Sequence, residues 1–137
     1  MSEPSASKPW WRKKFGTRSE RAAADFLKRL GYRILAENYR CSAGELDLVA
    51  QDGEVIVVAE VRSTEESNSL KAAASVDYVK QKRLTKLALH YLQEHKLLGH
   101  PARFDVLAVS WPAGDDIPAV THFRNAFEAV GRFQMFS

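Results

Sequence analysis

Two neighbouring apolar runs in this chain end in charge: Gly44-Glu45-Leu46-Asp47-Leu48-Val49-Ala50 and Glu54-Val55-Ile56-Val57-Val58-Ala59-Glu60-Val61-Arg62. Ionised groups on buried strands are costly unless they are paired or bind a metal. Asp52-Gly53 between the runs is a hairpin signal. A turn centred on that dipeptide sets Asp47 against Val58 and Glu45 against Glu60. Cross-strand partners share a sheet face, so Glu45, Asp47, Glu60 and Arg62 project from one side. Asp47 and Glu60 are then diagonal neighbours, roughly 7–8 Å apart at the backbone, and their carboxylates can lean together around a divalent cation. Oxygen-only ligands suit Mg²⁺ or Mn²⁺. Such an ion polarises a phosphate and lowers the pKa of a bound water. The chemistry implied is metal-dependent phosphodiester hydrolysis. The competing reading is a charged strand end in which Glu45 or Glu60 pairs with Arg62.

Other residues can join this constellation. Glu20 stands three residues before Ala23 and seven before Leu27, on the buried stripe of a predicted helix. It can add a third acid, directly or through water, although a capping role competes for it. Lys80 falls near the centre of an apolar helical face, where lysine is unusual, and Gln81 lies at that face's edge. Placed over the acids, both could touch a phosphate or the attacking water. Lys82, Arg83 and Lys86 open the same helix and could track a phosphate backbone, or simply form a solvated face. His90, His95 and His100 recur every five residues, about 140° per step on a helix, so they share no face for chelation. Cys41 has no evident base beside it and reads as a small buried thiol. Trp10 and Trp11 could stack on bases or pack on the domain.

The elements that must position these residues follow from pattern. Thr17-Arg18-Ser19-Glu20 is a capping box. It opens a helix to about Leu30, with Gly31 as C′ residue. Tyr32 to Tyr39 reads as a first strand, and the two charged runs as the second and third. Residues 63–75 read as a loop. A long helix runs from about Val76 to Leu97, with Val76, Lys80, Leu84, Leu87, Ala88, Tyr91 and Leu92 on one face. Arg103 to Ser110 is a fourth strand, Val120 to Phe123 a short edge strand, and Ala126 to Val130 a final helical turn. The order αβββαβ implies an α/β fold with a mixed sheet and helices on both faces.

The 137 residues, 45% hydrophobic and 27% charged, suit one soluble domain with one core. Residues 1–15 read as a flexible basic arm, 16–130 as the domain that carries the acids and 131–137 as a tail. No apolar run approaches ~18 residues, which excludes a membrane span, and Met1 to Lys14 lacks a secretory h-region. Cys41 is the single cysteine, which fits a reducing cytosol and a cytoplasmic location. The formal charge of +3 permits nucleic-acid binding without demanding it.

Taken jointly, several stretches resemble the YraN-like family of small bacterial proteins, related to PD-(D/E)xK nucleases and archaeal Holliday junction resolvases. They are the Glu20 helix, Leu30-Gly31-Tyr32-Arg33-Ile34-Leu35, Asn38-Tyr39-Arg40-Cys41, Gly44 to Ala50, Val58-Ala59-Glu60-Val61, Val76 through Leu92, and Arg124-Asn125-Ala126-Phe127. The resemblance implies a restriction-endonuclease-like αβββαβ core. It implies Asp47 and Glu60 as metal ligands, Glu20 as the helix acid, Gln81 or Lys80 near the site, DNA as the partner, branched DNA among the substrates, and a homodimer. The sequence departs from the family's Glu-Val-Lys, which is here Glu60-Val61-Arg62. Arginine stays charged and cannot serve as a general base, but it can bind phosphate. Three expectations follow: a Mg²⁺-dependent DNA endonuclease in which Arg62 stabilises phosphate charge, a non-catalytic nucleic-acid-binding module on a nuclease scaffold, or a protein-interaction or structural domain.

Overall fold

The computed structural model describes residues 17–64, 68–112 and 117–130. The expected N-terminal arm and C-terminal tail lie outside them. The described elements are α1 (Arg18–Arg29), β1 (Arg33–Cys41), β2 (Gly44–Asp52), β3 (Val55–Ser63), α2 (Ser69–Ala74), α3 (Tyr78–Glu94), β4 (Ala102–Ser110) and β5 (Ala119–Phe127). The five strands form one sheet in the order β1-β2-β3-β4-β5. β3 and β4 run parallel and every other pair is antiparallel. The parallel step needs a crossover, and α2 with α3 supplies it.

The sheet is covered on both faces. Ala23, Ala24 and Leu27 of α1 pack with Tyr32, Leu48, Ala50, Val57, Ala59, Leu107 and Val109. Leu84, Leu87, Ala88, Tyr91 and Leu92 of α3 pack with Leu46, Val49, Ile56, Val58, Phe104 and Val106. A strand buried on both faces reads as a continuous apolar run, which is why Val55 to Ala59 shows no polar alternation.

Local sequence sets the helix starts. The Thr17 hydroxyl accepts the Glu20 N–H at 3.0 Å, and the Glu20 carboxylate accepts the Thr17 N–H at 3.2 Å. Ser19 ties this end of α1 to the sheet: its hydroxyl lies 2.6 Å from that of Ser63 and accepts Trp111 Nε1–H at 3.0 Å. Asp77 caps α3 by accepting the Lys80 N–H at 2.9 Å. The long helix therefore starts at Tyr78 rather than at Val76. Within the stretch expected as loop, Ser69–Ala74 is a short helix. At the C-terminal end, the expected helical turn from Ala126 is instead the end of β5, because Phe127 pairs with Phe104 and stacks on it with ring centroids 4.7 Å apart.

Candidate active site

The hairpin that carries the acids is offset from the sequence expectation. Its turn is Gly53-Glu54, with Asp52 opposite Val55, Val49 opposite Val58 and Leu48 opposite Ala59. Gly53 takes φ +63°, which glycine tolerates without steric cost. The offset is two residues, so it preserves which β3 side chains share a face, but Glu45 does not face Glu60. Glu45 pairs across β1 with Arg40 instead, at 4.0 Å between Arg40 Nε and Glu45 Oε1.

A second departure is a break in the pleat at Asp47. Leu46 packs in the α3-side core, whereas Leu48, two residues on, packs in the α1-side core. A regular strand would send both to one face. Opposite, Asn38 of β1 takes φ +54°. The β2–β3 ladder ends at Leu48 and Ala59, and the Asp47 carboxylate fills the opening, accepting the Val61 N–H at 2.9 Å through Oδ2. The four charges thus do not share one face. With its amide nitrogen turned toward them, Asn38 reaches Glu20 Oε1 and Glu45 Oε2 at 3.1 Å each. Glu20 and Glu45 are bridged together, while Glu60 and Arg62 turn toward α3. Gly44, at the start of β2, allows this hairpin to approach α3, since a Cβ there would lie 3.3 Å from a Leu87 methyl.

Glu60 is the centre of the arrangement. It is 8% exposed and is flanked by Arg62 Nε at 3.4 Å and Lys80 Nζ at 3.5 Å, both measured to Oε2. Burial pushes its carboxyl up and the Asp47 charge pushes it further; Lys80 and Arg62 pull it back only in part, leaving it at about 7. The Arg62 Nε–H is itself buried and makes no hydrogen bond, although Glu60 Oε2 lies 3.4 Å away. Two close acids and a proton-prone carboxyl form an environment that a divalent cation relieves. Among the described residues no three His, Cys, Asp or Glu side chains converge as a metal cluster. Asp47 and Glu60 are the two carboxylates here that could hold Mg²⁺, an ion that retains several waters and commonly takes only one or two carboxylates.

The remaining sequence candidates divide between this centre and its surroundings. Lys80 is brought onto Glu60. Gln81 directs its amide to the Val76 carbonyl at 2.9 Å, which braces the first turn of α3. Lys82 and Arg83 are exposed on that helix. Glu20 is buried as expected, held by the capping box and Asn38. His90 and His95 surround Tyr39, whose hydroxyl meets His90 Nδ1 at 2.9 Å and donates to Glu94.

Sequence reading missed a second polar cluster. Asp105, completely buried, accepts from His122 Nε2 at 2.7 Å, Arg103 Nε at 3.0 Å and the Asn125 N–H at 2.9 Å. Arg103 also reaches the Tyr32 hydroxyl at 2.8 Å and Asp52 at 3.2 Å. The only signal in the sequence was an acid inside the apolar run Phe104 to Val109.

Comparison with known proteins gives this arrangement a family. The sequence model described as "Uncharacterised protein family UPF0102" matches residues 19–109, which span α1 through β4 and every residue of the acidic centre. The chain belongs to the UPF0102 family. A UPF0102 protein of Rhodopirellula baltica is 44% identical over 119 residues, covering 85% of this chain and 71% of that protein. A UPF0102 protein of Syntrophus aciditrophicus is also 44% identical over 119 residues, covering 85% and 91%. One from Chloroflexus aurantiacus is 39% identical over 127 residues, covering 90% and 98%. This UPF0102 chain has, among its described residues, no helix long and apolar enough to cross a membrane.

Proposed function

We propose that the chain is a divalent-metal-dependent DNA nuclease with a PD-(D/E)xK-type core, with branched DNA among its substrates. Asp47 and Glu60 are the metal-holding pair. The observation that carries this reading is Glu60: a buried carboxyl raised to about 7 beside a second acid, flanked by two cations. Such strain is common where a buried acid serves a ligand. A bound Mg²⁺ would polarise a phosphate and acidify a water. The chain's own residues do the rest. Lys80 supplies a cation that balances phosphate charge next to the acids. Gln81 positions Lys80 by bracing the first turn of α3. Arg62 presents a guanidinium, which binds phosphate oxygen and cannot serve as a general base. Lys82 and Arg83 meet phosphates that flank the cut. Glu20 holds the α1 end against the site through its cap and Asn38.

The test is Mg²⁺- or Mn²⁺-dependent cleavage of single-stranded, duplex and four-way-junction DNA. Wild type is expected to cut at least one of them and Asp47→Ala none. Equal inertness of the two sinks the proposal.

A second reading has its own support. Arg62 and Lys80 both lean on Glu60, so the site carries counter-charge without a metal. That favours a non-catalytic DNA-binding module on a nuclease scaffold, with salt-dependent binding and no turnover. Arg62→Lys separates the readings: cleavage gained by the variant over an inert wild type marks a site disabled at that position.

A further inference from the structure

Arg62 faces more than Glu60. It lines a cleft of about 260 Å³ between the end of β3 and α2, together with Ser63, Thr64, Asn68, Lys71, Ala72 and Ser75. Neither Asp47 nor Glu60 lines it, and its described lining holds two cations and no acid. The neutral hydroxyls are already engaged. Thr64 donates to the Asn68 carbonyl at 3.3 Å, Ser75 to the Ala72 carbonyl at 2.6 Å, and the Ser63 hydroxyl lies 2.6 Å from that of Ser19. A ligand entering the cleft therefore meets chiefly the guanidinium and the ammonium. Arg62 Nε is taken up on the Glu60 side, 3.4 Å from Oε2. An anion with several oxygens answers the paired guanidinium and ammonium of the cleft. A guanidinium matches phosphate geometry, while an ammonium adds a point charge. At about 30 Å³ per water, the cleft has room for a phosphate group and several waters.

We propose that this cleft is a phosphate subsite, in which Arg62 and Lys71 hold a phosphodiester of the nucleic-acid strand next to the one at the acid pair. This rests on reading Asp47 and Glu60 as a phosphodiesterase centre, and it gives Arg62 a role that a lysine would fill less well. Arg62 links the two sites, with Glu60 on one side and the anion cleft on the other.

The experiment uses the full chain in EDTA, so no turnover contributes. Inorganic phosphate and a short single-stranded oligodeoxynucleotide are titrated separately while backbone amide shifts are followed by NMR. Both probes are expected to move the amides of Arg62, Asn68, Lys71, Ala72 and Ser75 first. Inorganic phosphate alone doing so would mark a site for free anion and overturn the strand assignment. Lys71→Ala and Arg62→Gln are each expected to weaken oligonucleotide binding by about tenfold. Lys28→Ala, on exposed α1 surface, is expected to leave binding unchanged. Lys71 is exposed, so its variant folds, and an amide spectrum checks this. Shifts that avoid α2, or a Lys71→Ala affinity equal to wild type, overturn the subsite. A protein that never cuts DNA can still pass this test, and an active nuclease can still fail it.

Discussion

Two buried carboxylates stand on adjacent strands, one residue apart in register: Asp105 pairs with Ala59, and Val106 with Glu60. They face opposite sides of the sheet and have opposite fates. Burial alone would raise Asp105. The hydrogen bonds from His122, Arg103 and the Asn125 N–H more than offset that and hold it below its ordinary value. Glu60 is nearly as buried, yet it has an acid neighbour and two cations beyond 3.3 Å, and it sits at about 7. The difference is the number of donors aimed at each carboxylate. Asp105 is saturated by the protein and leaves a ligand nothing to do. Glu60 has fewer and longer contacts, and beside it Arg62 Nε makes no hydrogen bond. Depth of burial alone does not separate a structural charge from a functional one; completeness of its partners does.

The strongest way to break this comparison is to remove the saturated acid. Asp105→Ala strands Arg103 and a buried imidazole, and it is expected to cost about 3–5 kcal/mol, read from denaturant unfolding. A loss below about 1 kcal/mol would mean that the network is ornamental. The pH dependences should also have opposite signs. Glu60 is raised from 4.5 to about 7, so the folded state keeps a proton that the unfolded state releases. Wild-type stability is expected to fall as pH rises across that window, by up to about 3 kcal/mol. Glu60→Gln should flatten that slope. Asp105 is lowered, so its contribution is present above its unfolded value and disappears as pH falls through the folded one. An acid-side slope unchanged in Asp105→Asn would contradict this.

Metal should act on one cluster only. At about pH 8, Mg²⁺ at a hundredfold over its dissociation constant is expected to stabilise wild type by about 2.7 kcal/mol. Asp47→Ala should show no such gain, and wild type should show less below about pH 6, where Glu60 is protonated. A gain that persists in Asp47→Ala would put the cation elsewhere. The smallest effect sharpens the contrast with surface charge. Arg40 pairs with Glu45 at 4.0 Å and is 40% exposed, so Arg40→Ala should change stability by no more than about 0.5 kcal/mol in thermal unfolding.

Much of the scaffold was legible because local rules act over a few residues. Thr17 and Glu20 form both halves of the capping box that their spacing implied. Leu84, Leu87, Ala88, Tyr91 and Leu92 are all buried, as the period of α3 required, and Val76, just before the helix, is buried too. Lys80 on that face proved informative, because it meets Glu60. The hairpin was legible in existence but not in register, since Asp52-Gly53-Glu54 accommodates more than one turn centre. The Asp105 cluster was not legible at all. Its members come from β2, β4, β5 and Tyr32 just before β1, and no spacing rule links Tyr32, Arg103 and His122.

By itself, the sequence determined the start of α1, the apolar faces, the existence of the hairpin and the family, because caps, periodicity and turn residues are short-range. It also determined which acids and cations were available. Only the tertiary structure decided how they were grouped. The pleat breaks at Asp47 and Asn38, which sends Glu45 to Glu20 and leaves Glu60 with Asp47, Arg62 and Lys80. The reason is that strict alternation holds only while the ladder is intact. Where Asp47 replaces a backbone acceptor for Val61, the direction of every side chain beyond it is set by packing against α1 and α3.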